Sequence, residues 1–137
     1  MAMIRPSKDA YYFAIAKTVS IRSTCIRRQY GAVIVKDDEV IATGYNGSPR
    51  GEVNCCDVGR CFRIDNNVPR GTNYETCKSI HAEQNAIISA SRKDMFGGIM
   101  YIYCFDVALG QPVTPEPCPI CQRLIKNAGL EVKLCPC

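Results

Sequence analysis

The sequence predicts an α/β sandwich, because segments with helical spacing of apolar residues alternate with short apolar runs typical of strands. A polar turn at 36–39 separates the first two runs and predicts a hairpin. Gly129 ends the last helix. The expected order is helix 7–22, strand 32–35, strand 40–43, a helix from the single histidine to about 93, strand 99–103, helix 118–128 and strand 130–134.

Composition favours one globular domain over residues 1–137. The chain is 47% apolar and 22% charged, and its 137 residues can bury a core of their own. No apolar run approaches the ~20 residues that span a bilayer. The N-terminal residues lack the basic and apolar pattern of a secretory signal, so we expect a cytoplasmic protein with no membrane contact. The dispersed net charge of +4 suits a small phosphate-bearing substrate and does not indicate a nucleic-acid partner.

The single histidine and a cysteine pair carry the chemistry of the chain. His81 precedes Glu83 by two positions, and Cys118 and Cys121 have the spacing that places two thiolates on one zinc ion. One imidazole and two thiolates leave the fourth tetrahedral position open, which indicates a catalytic rather than a structural metal. The alternatives are a histidine packed in the core and a redox-active cysteine pair.

The spacing also predicts where these residues lie on their helices. Residues two apart on a helix point about 200° apart, so His81 and Glu83 can face one metal only at a helix N-terminus. Ser79 is then the expected N-cap. Cys118 should lie at the start of the next helix, with Pro119 near its first position. Two positive helix ends would favour ionised thiolates.

These motifs resemble the cytidine and deoxycytidylate deaminase family. The similarity rests on His81-Ala82-Glu83, on Pro117-Cys118-Pro119-Ile120-Cys121 and on segments 31–35, 44–51 and 81–88. It implies a three-layer α/β/α sandwich with a central mixed sheet and zinc between two helices. It also implies hydrolytic deamination of dCMP to dUMP and ammonia, which supplies dUMP for thymidylate synthesis.

The resemblance also implies roles for individual residues. Glu83 would not bind zinc but would transfer protons. Asn46 would hydrogen-bond the base and sugar, the Ala82 backbone would meet the pyrimidine edge, and Phe105 would stack on the ring. The phosphate would bind a loop whose backbone and side chains suit an anion, with Arg27 and Arg28 as further candidates. That loop is Gly47, Ser48, Pro49 and Arg50.

Residues 44–70 show no clear periodicity. A loop of that length in a compact domain is expected either to have a function or to be held in place by a cross-link such as a bound metal. The resemblance implies a structural zinc site that would hold a Cys-rich loop at about 46–78. Its ligands would be Cys25, Cys55, Cys61 and Cys77, with Cys56 as an alternative to Cys55. Three cysteines have no assigned role: Cys104, Cys135 and Cys137.

Regulation and assembly are implied by the resemblance alone. Many relatives are hexamers that dCTP activates and dTTP inhibits, with Mg²⁺ accompanying a triphosphate effector, and Arg92 matches an interface position. The segment 104–116 is longer than usual and could form a flap near the substrate.

Alternatives to a dCMP enzyme are a deaminase that also accepts dCTP, a polynucleotide cytidine or adenosine deaminase, and a catalytically silent, zinc-stabilised nucleotide sensor.

Overall fold

A five-stranded mixed sheet forms the centre of the computed structural model, which describes residues 2–136. Strands β1 and β2 form an antiparallel hairpin, and β1 also pairs antiparallel with β3. The other edge of β3 is shared, because β4 pairs antiparallel with its end and β5 pairs parallel with its beginning. The strands are β1 (Arg28–Lys36), β2 (Glu39–Tyr45), β3 (Ile99–Asp106), β4 (Gln111–Val113) and β5 (Glu131–Leu134).

Helices cover both faces of the sheet and complete the predicted α/β/α sandwich. Helix α1 packs on one face, against Val33, Val35 and Tyr101. Helices α4 and α6 pack on the other, where Ile34 and Ile102 lie at the centre of a second apolar cluster. The helices are α1 (Lys8–Ser20), α2 (Cys55–Val58), α3 (Phe62–Asp65), α4 (Ala82–Ile88), α5 (Arg92–Met95) and α6 (Pro119–Asn127), with a 3₁₀ turn at Tyr74–Thr76.

Two glycines allow the helices to approach the sheet closely. A Cβ atom on Gly31 would lie 2.0 Å from the backbone oxygen of Ala16 in α1. On the opposite face, a Cβ on Gly44 would lie 2.4 Å from the backbone oxygen of Ala82 and the backbone nitrogen of Ala86. The α4 helix, which follows the single histidine, is therefore packed directly on the backbone of β2.

The helix after the histidine motif is shorter than predicted. It ends at Ile88, and residues 89–91 separate it from the short α5. The Ser91 side chain caps α5 by accepting a hydrogen bond from the backbone N–H of Asp94 at 3.3 Å. Serine at this position favours a new helix start over continuation of the old one, since its hydroxyl competes for backbone groups. The predicted helix to residue 93 is therefore two helices.

The segment 104–116 extends the sheet. The first residues continue β3 as far as Asp106, and the chain then turns back as β4. Gly110 has a φ of +65° in this turn, and its backbone N–H donates to the Asp106 oxygen at 2.9 Å. Among residues 2–136, no helix has the length and apolar character needed to cross a bilayer.

Candidate metal and substrate site

Two helix starts meet at the histidine and the cysteine pair. His81 immediately precedes α4, and its backbone N–H donates to Gln84 Oε1 at 2.8 Å. Cys118 immediately precedes α6, and its Sγ accepts a hydrogen bond from the backbone N–H of Cys121 at 3.4 Å. The predicted placement at helix N-termini is confirmed. The prediction that Ser79 is the N-cap is wrong, because His81 itself is the N-cap of α4.

The three predicted zinc ligands lie within metal-binding distance of one another. His81 Nδ1 is 3.2 Å from Cys121 Sγ and 3.5 Å from Cys118 Sγ. All three donor atoms lie within 4.8 Å of each other. Tetrahedral zinc with its usual bond lengths separates a nitrogen from a sulfur ligand by about 3.6 Å. The spacing and the His/Cys/Cys donor set therefore fit zinc.

Two acidic side chains are buried at the inner end of this cluster. Cys121 is 0% exposed, and burial raises the pKa of its thiol, with further increases from Glu83 and Cys118. Glu83 is 4% exposed and lies in the first turn of α4. It is not one of the three residues that converge as ligands. A cation between these groups would offset both their burial and their mutual repulsion.

A cavity of about 650 Å³ opens from the cluster. His81, Ala82 and Glu83 line it together with Cys118. Its other walls come from the start of β1, from loop 46–48 and from residues of the segment 55–79. Two tyrosines, Tyr30 and Tyr74, are its aromatic lining within the described residues. This volume suits a small molecule rather than a polymer segment.

Asn46 lines the cavity with its amide already oriented by the protein. It is 7% exposed, and its Oδ1 accepts from the Ser23 hydroxyl at 2.6 Å and from the Tyr30 backbone N–H at 2.9 Å. Its Nδ2 donates to the Arg28 carbonyl at 2.9 Å. Both acceptor positions are therefore occupied, and one N–H remains for a ligand. In this arrangement Asn46 can donate one hydrogen bond to a substrate but cannot also accept one, which is less than a free amide offers.

The predicted phosphate loop offers fewer groups than its sequence indicates. The backbone N–H of Gly47 donates to the Ile80 oxygen at 3.1 Å, and that of Ser48 donates to Thr24 Oγ1 at 3.2 Å. Ser48 lines the cavity, whereas Pro49 and the exposed Arg50 do not. Two backbone donors expected for phosphate are thus used within the protein.

Four arginines line the cavity instead, and they differ in their partners. Arg28 Nε lies 3.2 Å from the Asp106 carboxylate, and the guanidinium of Arg63 is buried and bound to backbone oxygens. Arg27 and Arg70 form no ion pair among residues 2–136 that would neutralise their charge. Sequence reasoning missed Arg63, Arg70 and Tyr74, because their segment has no periodicity that would assign them to a wall.

The prediction for Phe105 is contradicted. Its side chain packs against the apolar cluster under α1, on the far side of the sheet, and it does not line the cavity. Adjacent residues of a strand face opposite sides, and the pairing of Tyr30 with Cys104 places those two on the site's side. Of the segment 104–116, Glu116 lines the cavity, whereas residues 104–115 do not and form mainly the hairpin at the sheet edge.

The four cysteines of the predicted structural zinc site all line the same cavity. Burial raises the pKa of the Cys55 thiol, and nearby Cys25, Cys61 and Cys77 raise it further. Cys56 is exposed, with its sulfur 3.9 Å from an Asp57 oxygen. Within residues 2–136, the group of three or more ligand atoms that all lie within 4.8 Å of one another is that of His81, so no three of these four cysteines have their sulfur atoms that close together.

The cysteines without an assigned role have different environments. Cys104 is fully buried, and burial is the main cause that raises its pKa to about 11. Cys135 packs against the apolar cluster under α1. Cys137 lies outside the described residues.

Comparison with known proteins agrees with this geometry. The family model for the cytidine and deoxycytidylate deaminase zinc-binding region matches residues 6–135. The deoxycytidylate deaminase of Mycobacterium phage D29 is 38% identical over 133 residues, which is 94% of each chain. That of Schizosaccharomyces pombe is 38% identical over 127 residues, or 93% of this chain, which spans 36% of the yeast protein.

A solved structure extends the similarity to three dimensions. The crystal structure of the dCMP deaminase from cyanophage S-TIM5, in complex with dCMP and dUMP, superposes with a TM-score of 0.67. The two chains are 28% identical, and the match covers 95% of this chain and 82% of that one. The chain belongs to the cytidine and deoxycytidylate deaminase family, whose zinc-binding region extends over nearly its whole length.

Proposed function

We propose that the protein is a zinc-dependent enzyme that hydrolyses dCMP to dUMP and ammonia. The observation that carries this proposal is the buried Glu83 beside the His81, Cys118 and Cys121 cluster, at one end of a cavity of small-molecule size. The relatives named deoxycytidylate deaminase, and the S-TIM5 enzyme crystallised with dCMP and dUMP, support this substrate.

The residues of the site have two roles, metal binding and proton transfer. His81, Cys118 and Cys121 would hold the zinc, which lowers the pKa of a coordinated water towards neutrality. Glu83 accepts a proton from the attacking water and donates it to N3 of the pyrimidine, so that C4 becomes electrophilic. The Glu83 carboxylate then takes the second proton from the hydroxyl now bonded to C4 and delivers it to the amine, so that the C–N bond breaks, ammonia leaves and the C4 carbonyl forms. Burial of Glu83 keeps bulk water from competing for that proton.

The substrate would be held by groups that the cavity presents. The backbone of Ala82 borders the pyrimidine position, and the remaining N–H of Asn46 donates to an oxygen of the base or sugar. Tyr30 and Tyr74 offer aromatic faces in place of Phe105. Arg70, together with Arg27 and the Ser48 hydroxyl, would bind the 5′-phosphate.

A substrate panel tests this function. Ammonia release is measured with dCMP, dCTP, CMP, deoxycytidine and a cytosine oligonucleotide, each with the zinc-loaded protein. We expect dCMP to react with the highest kcat/KM. Comparable turnover of dCTP would favour the enzyme that accepts both nucleotides. Reaction of the oligonucleotide alone would contradict the proposal and favour a polynucleotide deaminase.

We also propose a structural zinc bound by Cys25, Cys55, Cys61 and Cys77. The convergence of all four on one cavity and their influence on the Cys55 thiol support it, and the exposure of Cys56 favours Cys55 as the ligand. Elemental analysis should give about two zinc per chain. Cys55→Ser should leave one, whereas the neighbouring control Cys56→Ser should retain both. One zinc in the unaltered protein, lost in Cys118→Ala, would exclude the second site.

We propose separately that the protein forms a homo-oligomer, a hexamer as in many relatives. We also propose that dCTP and dTTP are its effectors and that Mg²⁺ binds with the triphosphate. Large apolar side chains exposed on the helices beside the site, including Ile88 and Ile120, support an interface, and Arg92 is exposed nearby on α5. Light scattering with and without each effector and Mg²⁺ measures the particle mass. A monomer under all conditions would exclude the assembly. The cytoplasmic location stays a prediction.

A further inference from the structure

Arg63 is an arginine whose charge has no carboxylate partner within residues 2–136. It is 7% exposed, although it lies on α3, a single helical turn in an otherwise irregular segment. A buried arginine retains its charge, so its donors must be satisfied by other oxygens. The oxygens that bind Arg63 therefore indicate which part of the structure this buried side chain stabilises.

All of these partners belong to one short loop, residues 69–76. Nη1 donates to the Asn73 oxygen and to Thr76 Oγ1, both at 2.7 Å. Nη2 donates to the Pro69 oxygen at 3.0 Å and to the Thr72 oxygen at 2.8 Å. A planar guanidinium fork thus gathers four oxygens of the loop around itself.

The loop depends on this guanidinium because its carbonyls point inward. Gly71 and Asn73 have φ values of +79° and +47°, so the chain reverses sharply and turns its oxygens towards Arg63. The Thr72 and Thr76 hydroxyls also donate to Pro69 and Asn73 oxygens, at 2.6 and 2.7 Å. The loop contributes no residue to the apolar clusters that hold the sheet and helices together.

The loop and Arg63 together form one wall of the cavity. Arg70, Gly71 and Tyr74 line it, and Cys77 follows directly. The backbone N–H of Leu109 is the main cause that lowers the pKa of Asp106, followed by Arg28, and the charge of Arg70 contributes to the same shift. Arg70 therefore lies near the end of the cavity where Arg28 is already paired with Asp106.

We infer that Arg63 is a positioning residue for substrate specificity, and that it holds loop 69–76 so that Arg70 and Tyr74 enclose the phosphate-bearing end of the substrate. This inference rests on the proposed function and adds to it the residue that fixes phosphate recognition. Lysine cannot replace Arg63, because an ammonium group is a point charge that cannot bind four oxygens in a plane.

The test compares Arg63→Lys with Arg60→Lys in the zinc-loaded protein. Arg60 lies in the same segment and pairs with the Asp65 carboxylate at 3.0 Å, on the surface. Amide hydrogen exchange of residues 69–76 is measured together with kcat and KM for dCMP and for deoxycytidine. Arg63→Lys should increase exchange in the loop and raise the KM for dCMP about tenfold or more, with kcat nearly unchanged. Arg60→Lys should match the unaltered protein.

Two further comparisons separate positioning from general stability. The preference for dCMP over deoxycytidine should fall in Arg63→Lys, and adding this change to Arg70→Gln should have little further effect, since both act on one contact. The inference is overturned if loop exchange is unchanged, if zinc is lost and kcat falls instead, or if the KM for dCMP is unaffected. If the unaltered protein releases no ammonia from dCMP, the proposed function fails, whereas the exchange data still decide whether Arg63 holds the loop.

Discussion

At the scale of single residues, the site depends on the positions of His81 and Glu83 at a helix start. The N-cap and the second residue of the first turn both lie over the end of the helix, so two side chains that would otherwise diverge reach one cavity. This relation depends on local spacing alone. The sequence therefore predicted it together with Cys118 and Cys121, whose three-residue separation has the same local origin.

The orientation of the Asn46 amide gives a first prediction. In Asn46→Asp, a carboxylate oxygen would face the Arg28 carbonyl, which now accepts a hydrogen bond from Nδ2. We expect the KM for dCMP to rise at least tenfold and the free energy of unfolding to fall by about 1–3 kcal/mol. Steady-state kinetics and urea denaturation measure the two effects.

Ser23→Ala is the matched control for this change. It removes one donor to Asn46 Oδ1 and leaves the free N–H in place, so its effect on KM should be smaller. Equal KM values in Asn46→Asp and the unaltered protein would contradict the role of Asn46 in binding.

Phe105 and Arg70 show why other site residues could not be predicted. The face to which Phe105 points depends on the register of β3 against β1, and shifting a strand by one residue reverses its faces. Arg70 lies in a loop without periodicity, whose neighbouring oxygens at Pro69 and Thr72 accept hydrogen bonds from Arg63. No local pattern encodes either position.

At the scale of elements, the packing of α4 on β2 links the fold to the metal site. Gly44→Ala would place a methyl group against the backbone of Ala82 and Ala86, which cannot rotate away as a side chain can. We expect α4 to shift, the free energy of unfolding to fall by about 1–3 kcal/mol or more, and zinc to bind more weakly at His81. Thermal denaturation and competition with a zinc chelator measure these effects.

Gly31→Ala provides the matched comparison on the opposite face. Its methyl group would meet the backbone of Ala16 and Ser20 in α1, which carries no residue of the site. This variant should lose stability while retaining its zinc affinity. Weaker zinc binding in Gly31→Ala, or unchanged binding in Gly44→Ala, would show that the β2 contact does not position the ligands.

The Asp9 carboxyl group of helix α1 binds side chains of the sheet, and its contribution to stability depends on pH. Asp9 accepts hydrogen bonds from the Tyr101 hydroxyl at 2.7 Å and from Lys133 Nζ at 3.1 Å, and in that order these lower its pKa. Because the folded state has the lower pKa, Asp9 contributes stability above its ordinary pKa, and this contribution is lost as the pH falls through the folded value.

Asp9→Asn should therefore unfold at lower urea concentration than the unaltered protein at pH 7. The difference in midpoint should begin to shrink as the pH falls below about 4, where the carboxyl group of the unfolded chain takes up a proton, and should become small once the pH is below the lowered pKa of the folded state. Urea titrations at pH 7 and at progressively lower pH measure it. A difference that is independent of pH would assign the effect to packing rather than to the charge.

At the scale of the whole molecule, the layer order was predictable and the wall opposite the metal was not. Helical spacing of apolar residues predicted α1, and short apolar runs predicted the first hairpin, β3 and β5. The Cys118-Pro119 start and the Gly129 end predicted α6. The wall formed by residues 55–79 has little apolar periodicity. It is held by arginine hydrogen bonds and, in our proposal, by a zinc ion, and neither leaves a periodic signal in a single sequence.

The central claim is that Glu83 transfers protons at a zinc held by His81, Cys118 and Cys121, without being a ligand itself. The most direct measurement is the zinc content and dCMP turnover of Glu83→Gln, which retains the shape of the side chain. We predict unchanged zinc and a loss of kcat of about 10²–10⁴-fold, the usual contribution of a general acid–base group. Near-normal turnover, or loss of one zinc per chain, would contradict the account.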